Sequence, residues 1–110
     1  MHPVRWFAVA LMLVLTIPAA ADKHKSKGNA KQGQEVFETK CSICHNADST
    51  EKKIGPGLKG IKDGKLPSGK DATDENLLDN INNGGGGMPA FEKLLTDEEK
   101  ADVIAYVLKL

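Results

Sequence analysis

The chain has 110 residues with 15 basic and 15 acidic side chains, so it lacks the cationic excess of a nucleic-acid binder. Only two cysteines are present, Cys41 and Cys44, and they leave no disulfide framework for a small exported fold. Length allows one small domain with a thin core rather than several domains.

The first element is a leader. Arg5 supplies a positive start, Trp6 to Ile17 is apolar, and Ala19-Ala20-Ala21 offers an A-x-A cleavage site, the pattern of a signal peptide over residues 1–21. Thr16 and Pro18 cut the apolar run well below the ~20 residues a membrane span needs, so an uncleaved anchor is the weaker reading and no stable span is expected after cleavage. No cysteine comes after the run to accept a lipid. Cleavage after Ala21 would leave 89 residues, Asp22 to Leu110, with 14 Lys, no Arg and 15 acids.

Charge is unevenly spread along that remainder. Residues 22–70 hold 11 Lys and 6 acids, whereas residues 71–110 hold 3 Lys and 9 acids, about +5 against −6. Such asymmetry can orient a small protein toward a charged partner, or merely keep its helix faces solvated. Residues 22–29, with Lys23, Lys25 and Lys27 beside Ser26, Gly28 and Asn29, are expected to form a flexible basic tail, with His24 a bystander in it. The folded domain is expected over residues 30–110.

Ala30 to Lys40 has no Pro, and Gly33, Val36, Phe37 and Lys40 fall at helical spacing, so a helix is predicted with Asn29 as its N-cap. A mid-helix Gly costs about 1 kcal/mol relative to Ala. Gly33 is therefore best explained by another helix crossing closely over it, with Phe37 flanking the crossing.

Directly after this helix stands Cys41-Ser42-Ile43-Cys44-His45, the most informative segment of the chain. Two thiols about one helical turn apart can each form a thioether with a vinyl group of one haem, and His45 can offer a neutral nitrogen to its iron. The competing readings fit less well. A dithiol oxidoreductase wants a βαβ context that the chain lacks, and a closed zinc site has only His2 and His24 left outside the motif. A structural disulfide would close a tiny loop, remove little unfolded-state entropy and leave His45 unexplained.

Gly55-Pro56-Gly57-Leu58-Lys59-Gly60 cannot be regular structure, because flexible Gly residues flank a Pro without an amide hydrogen. A ligating histidine needs its second ring nitrogen held by an acceptor, and the carbonyl of Pro56 is a candidate. Lys62 to Lys70, with Lys, Gly and Pro67, reads as an exposed connection. A helix is predicted from Thr73 through Asn83, with Thr73 as N-cap, Leu77, Leu78 and Ile81 as its apolar face, and Gly84 as its stop.

Gly84-Gly85-Gly86-Gly87-Met88-Pro89-Ala90-Phe91 then presents a candidate second axial ligand. Met88 carries a soft thioether, the glycines let backbone lie close against a flat ring, and Pro89 stiffens the segment after it. It stands 43 residues after His45, enough chain to travel around a haem edge to the opposite face. Finally, Thr96 and Glu99 form a capping box, and Ala101, Ile104, Ala105 and Leu108 make an apolar stripe that Val103, Tyr106, Val107 and Leu110 widen. The fold class is therefore all-α, with no period-2 strand. The last helix is the expected partner for the crossing at Gly33.

In order, Gly33 and Phe37, Cys41 to His45, Gly55-Pro56-Gly57-Leu58, Leu77 to Ile81, Met88-Pro89-Ala90-Phe91, and Val103 with Tyr106 resemble the signature of small bacterial class I monohaem cytochromes c. The resemblance implies three to five short helices around one haem c, with N- and C-terminal helices crossing. It implies covalent attachment at Cys41 and Cys44, iron ligation by His45 and Met88, and Pro56 among the cofactor-binding residues. It also implies export, because covalent haem attachment of this type is extracytoplasmic in bacteria, and hence a periplasmic location. The Gly-rich run before Met88 and the short charged stretch between Leu58 and Thr73 depart from the better-known members.

Two filled axial positions leave no open site for substrate, so the implied role is one-electron, outer-sphere transfer to transiently docked redox proteins. No catalytic residue, no nucleic acid and no obligate oligomer is expected. Ile54, Leu58, Leu77, Ile81 and Phe91 are candidates for packing around the ring. The alternatives are a haem enzyme or ligand sensor with a labile Met88, and a fixed subunit of a larger redox complex. An enzyme would want a distal Arg, His or Glu to move protons, and residues 22–110 contain no Arg.

Overall fold

In a computed structural model that describes residues 28–110, Asn29 opens α1 (Ala30–Lys40) by accepting from the backbone N–H groups of Lys31 and Gln32. Its side chain thereby satisfies two of the orphan donors of the first turn. The expected leader, and residues 22–27 of the expected tail, lie outside the described residues. The last two tail positions are held in place. The Asn29 N–H donates to the Asp102 carboxylate at 2.7 Å, and a Cβ on Gly28 would stand 1.9 Å from the carbonyl oxygen of Ala101. Docked chain thus begins before the helix does.

α2 (Asp74–Asn83) starts where the sequence predicts, with the Thr73 hydroxyl accepting from the Asn76 N–H at 3.1 Å. It ends on Gly84 at φ 61°, ψ −142°, a backbone state that belongs to glycine. α3 (Asp97–Val107) carries the complete capping box: Glu99 N–H donates to the Thr96 hydroxyl at 3.1 Å, and Thr96 N–H to the Glu99 carboxylate at 3.0 Å. That bond holds the Glu99 carboxyl below its ordinary range. A single 3-10 turn, Ile61–Asp63, is the remaining helical element among the described residues. Only isolated bridges accompany these helices there, Lys65 with Asp71 and Gly85 with Met88, so the all-α class holds.

α1 and α3 cross at Gly33, as expected. A Cβ there would lie 1.9 Å from the carbonyl oxygen of Asp102 and 2.9 Å from the amide nitrogen of Val103, so backbone rests on backbone. Beside the contact, the Phe37 and Tyr106 rings pack tilted with centroids 5.4 Å apart. The core that surrounds the crossing consists of Phe37, Leu66, Ala72, Leu77, Val103, Ile104 and Val107, with Leu58, Ile61, Ile81 and Tyr106 packed against it. Gly60 N–H donates to the carbonyl of Leu110, tying the 3-10 turn to the chain's last residue.

Some placements differ from the sequence reading. Leu66, inside the stretch read as an exposed connection, is buried in the core, because Leu66 and Lys70 close a turn that folds its side chain inward. Leu78, read as part of the α2 apolar face, is exposed, since only Leu77 and Ile81 lie on the side toward α3. Lys100 is buried in α3, where its ammonium donates to the carbonyl of Glu92 at 2.8 Å, with Asp97 3.8 Å away.

Gly33→Ala should force α1 and α3 apart and cost about 2 kcal/mol in denaturant unfolding. Thr96→Ala should cost about 1 kcal/mol, and the contribution of Glu99 has a defined pH window. Its folded pKa is lowered, so stabilisation is full above the ordinary Glu value and fades as pH falls through the lowered one. In acid titrations followed by circular dichroism, Glu99→Gln should therefore flatten the loss of stability below about pH 4.3.

Candidate functional site

The end of α1 builds the first half of the site. Cys41 caps the helix with its N–H on the carbonyl of Phe37, and Ser42 N–H shares that carbonyl. The Cys44 and His45 N–H groups both donate to the carbonyl of Cys41, at 3.1 and 2.9 Å, so the five-residue motif forms one further tight turn. Both cysteines are half-buried, and no disulfide joins them. Burial, with the neighbouring Cys44 adding to it, pushes the Cys41 thiol up to about 11. As a thiol it is neutral at pH 7, and its side chain packs against the apolar core.

The Gly55-Pro56 loop wraps onto this turn. Gly55 N–H donates to the carbonyl of Cys44 at 2.6 Å, and the Lys53 ammonium donates to the carbonyl of Ser42 at 2.8 Å. The predicted acceptor for the histidine is present: His45 Nδ1 lies 2.8 Å from the carbonyl oxygen of Pro56. A carbonyl only accepts, so Nδ1 carries the proton and Nε2 keeps its lone pair for a metal. Gly55 makes room for the ring, because a Cβ there would meet His45 Cε1 at 2.5 Å and Nδ1 at 2.9 Å.

The second half hangs from α2. Gly84 through Gly87 all take positive φ, and Gly85 and Met88 exchange backbone hydrogen bonds of 2.9 and 3.1 Å, closing a four-residue turn. A Cβ on Gly84 would stand 2.3 Å from the carbonyl oxygen of Met88, so this glycine is needed sterically as well. Met88 is half-buried, and its sulfur accepts from the side-chain amide of Asn80 at 3.5 Å. Beyond it, Phe91 N–H donates to the carbonyl of Ile81, returning the chain to α2 with Phe91 buried.

Cys41, Cys44, His45 and Pro56 are thus brought into one hydrogen-bonded unit, while Met88 belongs to a separate loop tied to α2 through Asn80 and the carbonyl of Ile81. Of the apolar residues expected to line a ring, Leu77 and Phe91 are buried, Leu58 and Ile81 half-buried, and Ile54 is 65 % exposed. The donor set fits an iron porphyrin on its own chemistry: two thiols for thioethers, an imidazole with a fixed tautomer, and a thioether sulfur. Tyr106, held neutral by burial and the nearby Asp48 and Glu38 carboxylates, has no such part. The sequence reading passed over Asn80, since an Asn in the last helical turns reads as a cap.

Comparison with known proteins gives one consistent family. Residues 28–107 match the family model described as cytochrome c oxidase, cbb3-type, subunit III. Cytochrome c6 of Rippkaea orientalis is 34 % identical over 91 % of this chain and 82 % of its own length. Cytochrome c of Kluyveromyces lactis is 30 % identical over 76 % of this chain and 92 % of its own. A solved structure of cytochrome c6 from the diatom Phaeodactylum tricornutum, 31 % identical, superposes with a TM-score of 0.59 over 74 % of this chain and 93 % of that one.

Gly55→Ala should break the bond between His45 and Pro56. In nitrogen-resolved NMR spectra the Nδ1 proton of His45 should then exchange about tenfold faster than in the parent chain, as expected for loss of one hydrogen bond.

Proposed function

The chain belongs to the class I monohaem c-type cytochromes, and from that membership we propose how its own residues hold the cofactor and where it works. It is an electron-transfer protein with one covalently bound haem c, and it has the cytochrome c fold. When bound, the haem supplies a one-electron ferric–ferrous couple.

Cys41 and Cys44 would hold the ring through thioethers. His45 Nε2 and the Met88 sulfur would be the protein's ligands to its iron. The observation that carries this assignment is the 2.8 Å contact of His45 Nδ1 with the Pro56 carbonyl, which fixes the tautomer a metal ligand needs. Pro56 and Gly55 therefore act on the cofactor through His45, by holding the ring's proton and its orientation. With His45 and Met88 both committed as ligands, no residue would be required to pass a proton to a substrate. Leu58, Leu77, Ile81 and Phe91 keep water from the interior face and lower the local dielectric.

The protein is a carrier that acts on partner proteins, and no helix of the described residues is long and apolar enough to cross a membrane. Export through the leader at residues 1–21, a periplasmic location, a monomeric state and brief docking complete the proposal. Support comes from the leader's composition, from the match to small carriers along most of the chain, and from Ile43 of the Cys41–His45 turn, 66 % exposed at the surface.

Met88→Ala should abolish the weak near-infrared band of methionine bound to ferric iron and let the reduced protein take up carbon monoxide, with the haem still covalently attached. A parent protein that binds carbon monoxide readily would reject Met88 as a firm ligand.

A further inference from the structure

α2 ends on Asn83-Gly84, and of the six asparagines in the chain Asn83 is the one followed by glycine. That pair can react with itself. The amide nitrogen of the residue after an asparagine can attack the side-chain carbon Cγ, expel ammonia and close a cyclic succinimide, which water then opens to aspartate or to isoaspartate. A side chain on the attacking residue hinders this closure, and glycine has none. Asn83 is exposed, so its Cγ is open to attack and the product ring is open to water. Asn29, Asn46, Asn76 and Asn80 have their side chains committed instead, to the α1 cap, to the carbonyls of Glu51 and Asp71, and to the Met88 sulfur.

In the folded chain the attacking nitrogen is occupied. Gly84 N–H donates to the carbonyl of Asn80 at 2.8 Å as the cap of α2, and helical ψ at Asn83 holds its Cγ out of line with the next nitrogen. The bond is also held from the loop side. A Cβ on Gly84 would stand 2.3 Å from the carbonyl oxygen of Met88, and Gly85 and Met88 exchange backbone hydrogen bonds. The returning chain adds two more ties, from Phe91 N–H to the carbonyl of Ile81 at 2.8 Å and from Glu92 N–H to the carbonyl of Asn82 at 3.3 Å. Succinimide formation therefore needs the last turn of α2 to open, and with it the seat of the glycine run.

We propose that Asn83-Gly84 is a deamidation site locked by the cap of α2, so that the chain is modified there only while the glycine loop lifts from the helix end. The product does not close again as the parent does. Either outcome places a carboxylate at the negative end of α2, which has no basic residue in its last turn to offset it. Isoaspartate also inserts one extra carbon into the backbone between residues 83 and 84, which displaces Gly84 from the Asn80 carbonyl and lengthens the path to Met88. Modification here is thus a one-way record of loop opening. Its effect on the iron rests on the reading of Met88 as a ligand, whereas the modification itself does not.

The test ages the holoprotein in mildly alkaline buffer, native and unfolded in guanidinium chloride, with Asn83→Gln as the slow control. The peptide containing residues 83 and 84 is followed by its mass and by enzymatic methylation of isoaspartate. Ammonia loss should locate at Asn83, with the native rate at least about tenfold below the unfolded rate, as expected from one hydrogen bond. Hydrogen exchange of the Gly84 amide in the native protein should show the same protection within about threefold, because both reactions need the same bond to open. Equal rates in native and unfolded protein, or no reaction at Asn83 in either, would overturn the proposal. So would a Gly84 amide that exchanges freely while Asn83 stays intact. The deamidated fraction, separated by its added negative charge, should show a weaker methionine band than Asn83→Asp, which carries the charge without the added carbon. A parent protein without that band would reject Met88 as ligand and leave the Asn83 rates to decide this site.

Discussion

Everything in this fold depends on a contact that has no side chain in it. At Gly33, α1 rests directly on the backbone of α3 at Asp102 and Val103, closer than any Cβ would allow. That closeness lets Phe37 and Tyr106 meet across the helices and lets the Asp102 carboxylate reach back to the Asn29 amide. Burying Asp102 is tolerable because its oxygen accepts that N–H. The motif Cys41 to His45 begins where α1 ends, so its position is set by the crossing one and two turns earlier. A small core can hold a functional turn rigidly if its helices approach this closely.

The two halves of the site are restrained in opposite ways. On the histidine side, the carbonyls of Cys41, Cys44 and Ser42 each receive a donor, two of them from the Lys53–Gly55 stretch, and Pro56 completes the set on the ring itself. On the methionine side, backbone freedom is high and the polar tie to the sulfur is one amide. Outer-sphere electron transfer favours a ligand set that moves little between oxidation states. The structure restrains His45 through several hydrogen bonds and the Met88 sulfur through one side chain of α2.

How much of this was legible in the sequence depends on how local each feature is. Caps at Asn29, Thr73 and Thr96, and the stop at Gly84, are decided by residues within four positions of one another, and each appears where it was expected. The crossing at Gly33 was legible because a helix interior rarely accepts glycine without a reason. The Pro56 contact was legible from chemistry, since a ligating histidine asks for an acceptor. Leu66 was not: a single apolar residue among Lys, Gly and Pro carries no period, and only the turn it closes with Lys70 directs it inward. Buried Lys100 was hidden for a related reason, because its carbonyl partner at Glu92 belongs to a different segment. Asn80 was hidden because its backbone and side chain serve different ends, and an amide at a helix end announces only the first.

Glycine illustrates why spacing and structure must be taken together. Gly33, Gly55 and Gly84 would each place a Cβ inside another atom's radius, so their identity is dictated by neighbours. Gly85, Gly86 and Gly87 have no such neighbours, and only their positive φ requires them. Along the chain, the six look alike. The first kind sets distances at the crossing, at His45 and under Met88, and removing it would move a functional atom. The second kind shapes a path without fixing its end, and the polar contact made by the Met88 sulfur comes from outside the loop, from Asn80 of α2.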